Sequence, residues 1–194
     1  YNYSHDNYGG LVLVCDSGKE RTYSLGNKNS TVRYNVSIGD GIRPKPTRQG
    51  MFSPGIHIAG RVEDTRIECN IVHANANPAA DIDRSMIVSD SWDGYADRTT
   101  FSRNIFYTVE PSRFDLTQST GNEFSGNWYL GTYTALPDDP EAKTSCPLYE
   151  EQVLSAGRDG YRGLEKLMTP RNVCGTSFLF IDKERIKAFF DKLN

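Results

Sequence analysis

Along the first two thirds of the chain, apolar and polar positions alternate in short runs, and one phrase keeps returning: "TVRYNVS" at 31–37, "TRIECNIV" at 65–72, "TTFSRNIF" at 99–106 and "NEFSGNWY" at 122–129. A period of two residues is that of a half-buried strand. Aligned asparagines fall at Asn2, Asn35, Asn70, Asn104 and Asn127, with spacings of 33, 35, 34 and 23 residues. After each comes an apolar or aromatic residue, a polar loop of variable length and a second apolar stretch: "GLVLVC" at 10–15, "GIHIAG" at 55–60, "SMIVSD" at 85–90 and "RFDLTQ" at 113–118. Each unit therefore holds at least two strands and no helix.

Short strands, helix-free connections, variable loops and one asparagine in register predict a solenoid of parallel strands, each coil stacking on the next about 4.8 Å away because it cannot bury its apolar face alone. The asparagine is then the corner of a coil. It is expected to take a left-handed backbone there and to pass side-chain amide bonds to its equivalent in the next coil. A leucine-rich repeat would carry a leucine consensus, and a six-residue left-handed coil would carry a strict short period; this sequence has neither.

The asparagine-centred phrase, the loop after it and the glycine-led strand resemble the right-handed parallel β-helix superfamily, the pectate-lyase-like fold with three sheets per coil. The resemblance spans about residues 1–130. It implies an all-β, right-handed parallel β-helix solenoid with three short sheets. The asparagine ladder would mark the bend between the second and third sheets, and the glycine-led strands would form the first, whose outer face carries a carbohydrate cleft. Alternation then points Leu11, Leu13, Ile56, Ile58, Met86, Val88, Phe114 and Leu116 inward, and stacks Val12, His57, Ile87 and Asp115 on the outside. The superfamily also implies a secreted, periplasmic or cell-surface location.

On that outer column only His57 and Asp115 ionise, and at strand spacing they lie roughly 10 Å apart, a gap a sugar can bridge. The bland alternative is a solvated His57 flanked by Val12 and Ile87. The loop at 37–55 carries Arg43, Lys45 and Arg48 between stiffening prolines; these cations suit a uronate carboxylate or sulfate, or else pair with Asp81 and Asp83 of the neighbouring loop. Opposite it, "SDSWDGYAD" at 89–97 sets Asp90, Asp93 and Asp97 around Trp92 and Tyr95, an acid and aromatic platform for sugar, with Arg61 in the equivalent loop of the coil before. Its clustered oxygens could alternatively hold calcium, although the spacing is not that of an EF-hand.

Composition narrows the function further. With 22 basic and 25 acidic residues the net charge is -3, so no global field draws the chain to nucleic acid. No apolar run reaches the roughly 18 residues of a membrane span. The three histidines, His5, His57 and His73, have no ligand spacing with the cysteines, so no zinc site or other cofactor is expected. Cys15 and Cys69 read as buried thiols, whereas Cys146 and Cys174 bracket the tail and are candidates for a disulfide if the chain is exported. The opening at Tyr1, with neither Met nor an apolar leader, reads as a processed piece with its signal segment and first coils upstream.

After Trp128 the repeat dies out. Residues 1–130 are read as solenoid and 131–194 as a connector and small α-helical cap covering the exposed end of the stack. In "DKERIKAFFDKLN", Ile186, Phe189, Phe190 and Leu193 share one helical face and Asp182 is placed as its N-cap. Two functions are weighed. The first is a polysaccharide lyase or glycoside hydrolase acting on an acidic glycan, with His57, Asp90 and Asp115 catalytic and Arg43, Lys45, Arg48, Arg61 and Trp92 binding. The second is a non-catalytic glycan-binding or structural surface protein. Aligned strand phrases favour neither.

Overall fold

The computed structural model describes residues 1–16, 26–43, 53–74, 85–152 and 161–193. The chain is mostly β and runs a repeating circuit of short strands. The first circuit comprises β1 (Tyr3–His5), β2 (Val12–Cys15), β3 (Asn27–Lys28) and β4 (Thr31–Arg33). The second comprises β5 (Val36–Ile38), β6 (Ile56–Ala59), β7 (Val62–Glu63) and β8 (Arg66–Glu68), and the third β9 (Ile71–Ala74), β10 (Ser85–Asp90), β11 (Ala96–Asp97) and β12 (Thr100–Ser102). β13 (Ile105–Asp115), β14 (Ser119–Thr120), β15 (Glu123–Ser125) and β16 (Trp128–Tyr133) follow.

Equivalent strands pair in parallel, giving three parallel sheets, an arrangement compatible with a parallel β-helix. Two are four-stranded, β3-β7-β11-β14 and β4-β8-β12-β15. The third is a curled, half-barrel sheet, because β13 runs unbroken through two lanes: its first half pairs with β9 and β16, and its end pairs with β10. The expected first and third sheets are thus one, and a lane of two-residue strands, hidden from the sequence by its shortness, stands between the first and second.

The asparagine corner is a continuous ladder. Nδ2 of Asn2, Asn35, Asn70 and Asn104 donates to Oδ1 of the next asparagine, at 3.1, 2.8, 3.0 and 3.0 Å. Backbone N–H groups of the same residues donate to the same oxygens. The left-handed residue, however, is the one before the asparagine: Tyr34, Cys69, Arg103 and Gly126, with φ of 55, 53, 53 and 65°. Turning the chain one residue early leaves the asparagine free to aim its amide inward along the stack. Asp139 closes the ladder. Its Oδ2 accepts from Asn127 N and Nδ2, at 3.0 and 2.9 Å, and its Oδ1 from Gly126 N at 2.9 Å.

Register corrects the expected facing of the glycine-led strands. Val12, Ile56, Ile87 and Phe114 pair in one inward column, while Leu13, His57, Val88 and Asp115 pair in the outward one. Leu13 and Val88 were expected inside and Val12 and Ile87 outside; a one-residue slip flips every side chain of a strand. In the first circuit it arises at Gly9-Gly10, since Leu11 donates to Gly55 O and stands opposite that glycine. In the third, a register shift between Ser85 and Ile87 buries both Met86 and Ile87.

The connector of the tail covers the end of the stack, but its helical part is placed differently from the end cover expected of it. The tail contains α1 (Pro147–Gln152), α2 (Tyr161–Leu164), a 3-10 turn at Glu165–Leu167, the hairpin β17 (Met168–Val173) and β18 (Thr176–Ile181), and α3 (Lys183–Asp191). Ile186, Phe189 and Phe190 pack with Tyr149, Leu164 and Leu167 over the outer side chains of the β5-β9-β13-β16 lane, including Val36, Ile71, Ile105 and Trp128. The helix therefore covers a flank. Asp182 caps it as expected, accepting from Glu184 N and Arg185 N. The described chain ahead of α1 takes the place of the next rung: Lys143 N donates to Asn127 O, Tyr129 N donates to Lys143 O, and the Lys143 ammonium sits 4.2 Å over the Trp128 ring. A separate interior core joins Ile56, Ile58, Ile67, Phe101, Phe106 and Phe124.

Candidate functional site

His57 projects from the middle of β6 on the outward face, with only 13% of its side chain exposed. Asp90 ends β10, directly beside Ala59, so the parallel register carries its carboxylate back toward the imidazole. His57 Nε2 is buried and lies 3.6 Å from Asp90 Oδ2, slightly longer than a hydrogen bond. Trp92, two residues on, donates its indole N–H to Asp90 Oδ2 at 3.0 Å and meets the His57 ring edge to face at 5.7 Å. Burial pushes the His57 pKa below its ordinary value, and Asp90 opposes that shift without cancelling it. The neutral imidazole is thus the resting form at neutral pH.

Asp115 occupies the same outward column, separated from His57 by Val88. It is tied to its own turn: Oδ1 accepts from Thr117 Oγ1 at 2.8 Å, and Oδ2 lies 3.7 Å from Arg113 Nη2. Arg113, which sequence reasoning passed over, also donates from Nε to Ser85 Oγ. It brings a cation to this face, and its signal was its place one residue before the glycine-led phrase's first inward residue. Leu13, 47% exposed, and Val88 give the column two apolar members.

Arg43 is partly buried in the chain after β5. Lys45 and Arg48, with Asp81 and Asp83, lie outside the described residues, so the proposed cationic wall is represented by Arg43 alone. Arg61 sits in the turn between β6 and β7, where its carbonyl accepts from Asn27 N. Tyr95 is exposed on the loop after β10, and Tyr8 on the chain before β2. The structure thus brings His57, Asp90 and Trp92 together and puts Asp115 in line with them.

The loop acids have separate engagements. Asp90 holds Trp92, Asp97 accepts from Thr120 Oγ1 and from Arg98, and Asp93 is exposed with φ of 60°. Among the described residues no group of three His, Cys, Asp or Glu side chains comes together to hold a metal. Cys146 is buried immediately ahead of α1 and Cys174 is exposed at the hairpin tip, both free, so the disulfide is absent. A concavity of about 460 Å³ lies away from His57, at another corner, and is lined by Asn29, Asp64, Arg66, Arg98 and Glu123. No described helix is long and apolar enough to cross a membrane. Comparison of the chain with known protein families, curated proteins and solved structures returns no match.

Proposed function

We propose that the chain is a right-handed parallel β-helix of the pectate-lyase-like kind, exported or displayed at a cell surface, and that it acts as a polysaccharide lyase on an acidic glycan. The observation that supports this reading is the neutral His57, held by Asp90 and Trp92 on the outward face of the first lane. A uronate lyase needs a base for the proton on the carbon beside the carboxylate, and a neutral imidazole with a lowered pKa is suited to that task. Because Nε2 is buried facing Asp90, the other ring nitrogen, Nδ1, would take this proton. The electron pair left behind forms the carbon–carbon double bond as the glycosidic C–O bond breaks, and the leaving oxygen is protonated in turn. Asp90 orients the ring and stabilises the imidazolium as it forms, while Trp92 and Tyr95 offer faces for sugar. Arg43 and Arg113 are the described cations that could clasp the carboxylate and stabilise the enolate. Calcium has no described cluster to support it and is left out of the step.

Asp90 is committed to Trp92 and His57, and Asp115 to Thr117, which weighs against the alternative use of this pair as the two carboxylates of an inverting hydrolase. A second reading, a non-catalytic glycan-binding surface protein, draws on exposed Leu13 and on Val88 beside His57.

The test is to incubate the protein with uronate-containing and neutral glycans, following both new reducing ends and the ultraviolet absorbance of an unsaturated product. Elimination gives both signals, and His57→Ala should then lower kcat by about 10²–10⁴-fold. Reducing ends alone would mean hydrolysis. Neither signal, with glycan binding retained, would leave the binding role.

A further inference from the structure

We propose that the concavity at the corner between the β3-β7-β11-β14 and β4-β8-β12-β15 sheets is a binding groove for a neutral oligosaccharide, separate from the His57 face. The inference does not rest on the lyase reading, since neither His57 nor its neighbours line this groove.

The shape of the groove follows from how the corner is built. It is lined by the left-handed corner residues Asn29, Asp64, Arg98 and Gly121, one from each of four successive circuits. At about 4.8 Å per strand it therefore runs about 14 Å along the stack, which calls for an elongated occupant. Its volume of about 460 Å³ falls within the roughly 300–1,000 Å³ of ligand sites. Beside the corner residues stands the outward column of the β4-β8-β12-β15 sheet, where Arg66, Thr100 and Glu123 lie opposite one another in register. Among the described residues no hydrophobic side chain lines the groove.

What singles this column out is that its charges are not spent on each other. Elsewhere on the same surface ions pair from rung to rung: Lys28 with Glu63 at 2.9 Å, Arg33 with Glu68 at 3.6 Å and Arg98 with Asp64 at 2.7 Å. In the groove, Thr100 stands between Arg66 and Glu123 and keeps them two strand spacings apart. The Arg66 guanidinium makes one bond, from Nη2 to Thr31 Oγ1 at 3.2 Å, while the Asn29 amide, the Thr100 hydroxyl and the Glu123 carboxylate bond to no described residue. The groove thus offers a donor-only group, an acceptor-only group and two groups that do both. A sugar hydroxyl donates and accepts at once, so a short chain of rings can meet them all. Charge selects neither sign: an anion drawn to Arg66 would also face Asp64 and Glu123, and a cation drawn to Glu123 would face Arg66 and Arg98. An apolar ligand finds no apolar wall, and a peptide strand finds a sheet face where it needs an open edge.

The test is calorimetric titration of the protein, and of its His57→Ala variant, with cellopentaose, maltopentaose and mannopentaose as neutral probes and pentagalacturonate as an acidic one. At least one neutral probe is expected to bind both proteins alike, with a Kd that changes less than about twofold between about 0.05 and 0.5 M salt. Arg66→Ala and Glu123→Ala should each weaken that binding about tenfold. Thr100→Arg, which fills the middle of the groove, should abolish it. Melting curves of the three variants show that each is folded; should Thr100→Arg fail to fold, the outward Arg66→Ala and Glu123→Ala decide. The proposal is overturned if no neutral probe binds, if the groove variants bind as the parent does, or if binding disappears in His57→Ala. It is overturned too if pentagalacturonate is preferred and is lost both in Arg66→Ala and at high salt, because the groove would then select an anion.

Discussion

Two corners of the circuit use the same backbone device and stabilise it by opposite means. At the asparagine corner, left-handed Tyr34, Cys69, Arg103 and Gly126 precede Asn35, Asn70, Asn104 and Asn127. At the corner between the β3 and β4 lanes, left-handed Asn29, Asp64, Arg98 and Gly121, with φ of 57, 55, 55 and 61°, precede Ser30, Thr65, Thr99 and Asn122. The first corner is buried and neutral, and its donors and acceptors are passed from rung to rung. The second is open to solvent and carries ion pairs on its outside, while Oγ1 of Thr65 and of Thr99 is buried with no partner among the described residues. A ladder holds the stack only where the residue at the corner can both donate and accept along its axis. The short threonine hydroxyls, though able to donate and accept, bond no described residue of the neighbouring rung, and the contacts between rungs at that corner are ion pairs on its outside.

The sharpest break of this comparison is Asn70→Ala. Asn70 Oδ1 accepts from Asn35 N and Nδ2, and its own Nδ2 reaches Val32 O, Glu68 O and Asn104 Oδ1. Truncation strands donors above and acceptors below in the buried interior, each stranded group costing about 1–3 kcal/mol. A loss of about 3–5 kcal/mol is expected, or roughly 10 °C in melting temperature, measured by thermal or urea unfolding. A loss no larger than that of an average surface substitution would mean that the ladder merely decorates a stack held by its apolar core.

Asp139→Ala tests the closed end and should cost less, about 2–3 kcal/mol, because water can replace part of what is lost at the last rung. The substitution also carries a pH signature. Burial pushes the Asp139 carboxyl up, but donors from Asn127, Gly126 and Tyr129 outweigh it and hold the pKa below the ordinary value. A depressed folded pKa contributes stability that is fully present above the unfolded value of about 3.9 and is lost as pH falls through the folded one. The stability gap between the protein and its Asp139→Ala variant should therefore stay constant from pH 7 to about pH 5 and narrow at lower pH. A gap that widens in acid would contradict the charge state assigned here.

How much of this was legible in the sequence follows the same divide. The asparagine corner could be read because its chemistry demands one residue type at every rung, so Asn2 through Asn127 stand out through loops of any length. Asp139 could not be read, since it closes the ladder from outside the repeat, in a stretch rich in proline and acids that reads as a plain connector. Facing was legible in β6, where His57 alternates between Ile56 and Ile58. It was lost in β2, where Gly9-Gly10 leaves the phase of alternation unmarked. The flank position of α3 had a signal that passed unused: "IVHA" and "IFYT" place apolar or aromatic residues on both faces, as strands do when something covers their outer side. The neighbourhood of His57 and Asp90 was within reach, given the correct register; the separate anchoring of Asp115 by Thr117 and Arg113 was not, because it depends on a turn.

Thr65→Val and Thr99→Val sharpen the second corner. Each removes a buried hydroxyl with no described partner and keeps the volume of the side chain. Each is expected to raise stability by about 0.5–1 kcal/mol, the reverse of what any substitution at Asn70 or Asn104 would do. A loss on either substitution would show that the hydroxyl is satisfied and that the two corners are more alike than their residues suggest.

The smallest effect is expected where the contacts look strongest. Arg98 reaches Asp64 through Nε and Nη2, at 2.7 and 3.1 Å, touches Asp97, and lies 3.6 Å from Glu63, which in turn holds Lys28. These bonds tie three circuits together on the surface. Yet the Arg98 side chain is 52% exposed, and solvent screening together with the entropy of fixing a long side chain leaves such networks with little net contribution. Arg98→Ala should therefore melt close to the parent protein at physiological salt and indistinguishably from it at 1 M salt. A drop comparable to that of Asn70→Ala, persisting at high salt, would mean that the ionic corner holds the stack as firmly as the amide corner does. In that case the groove beside Arg98, lined also by Asp64, Arg66 and Glu123, would be a rigid seam instead of an adaptable surface.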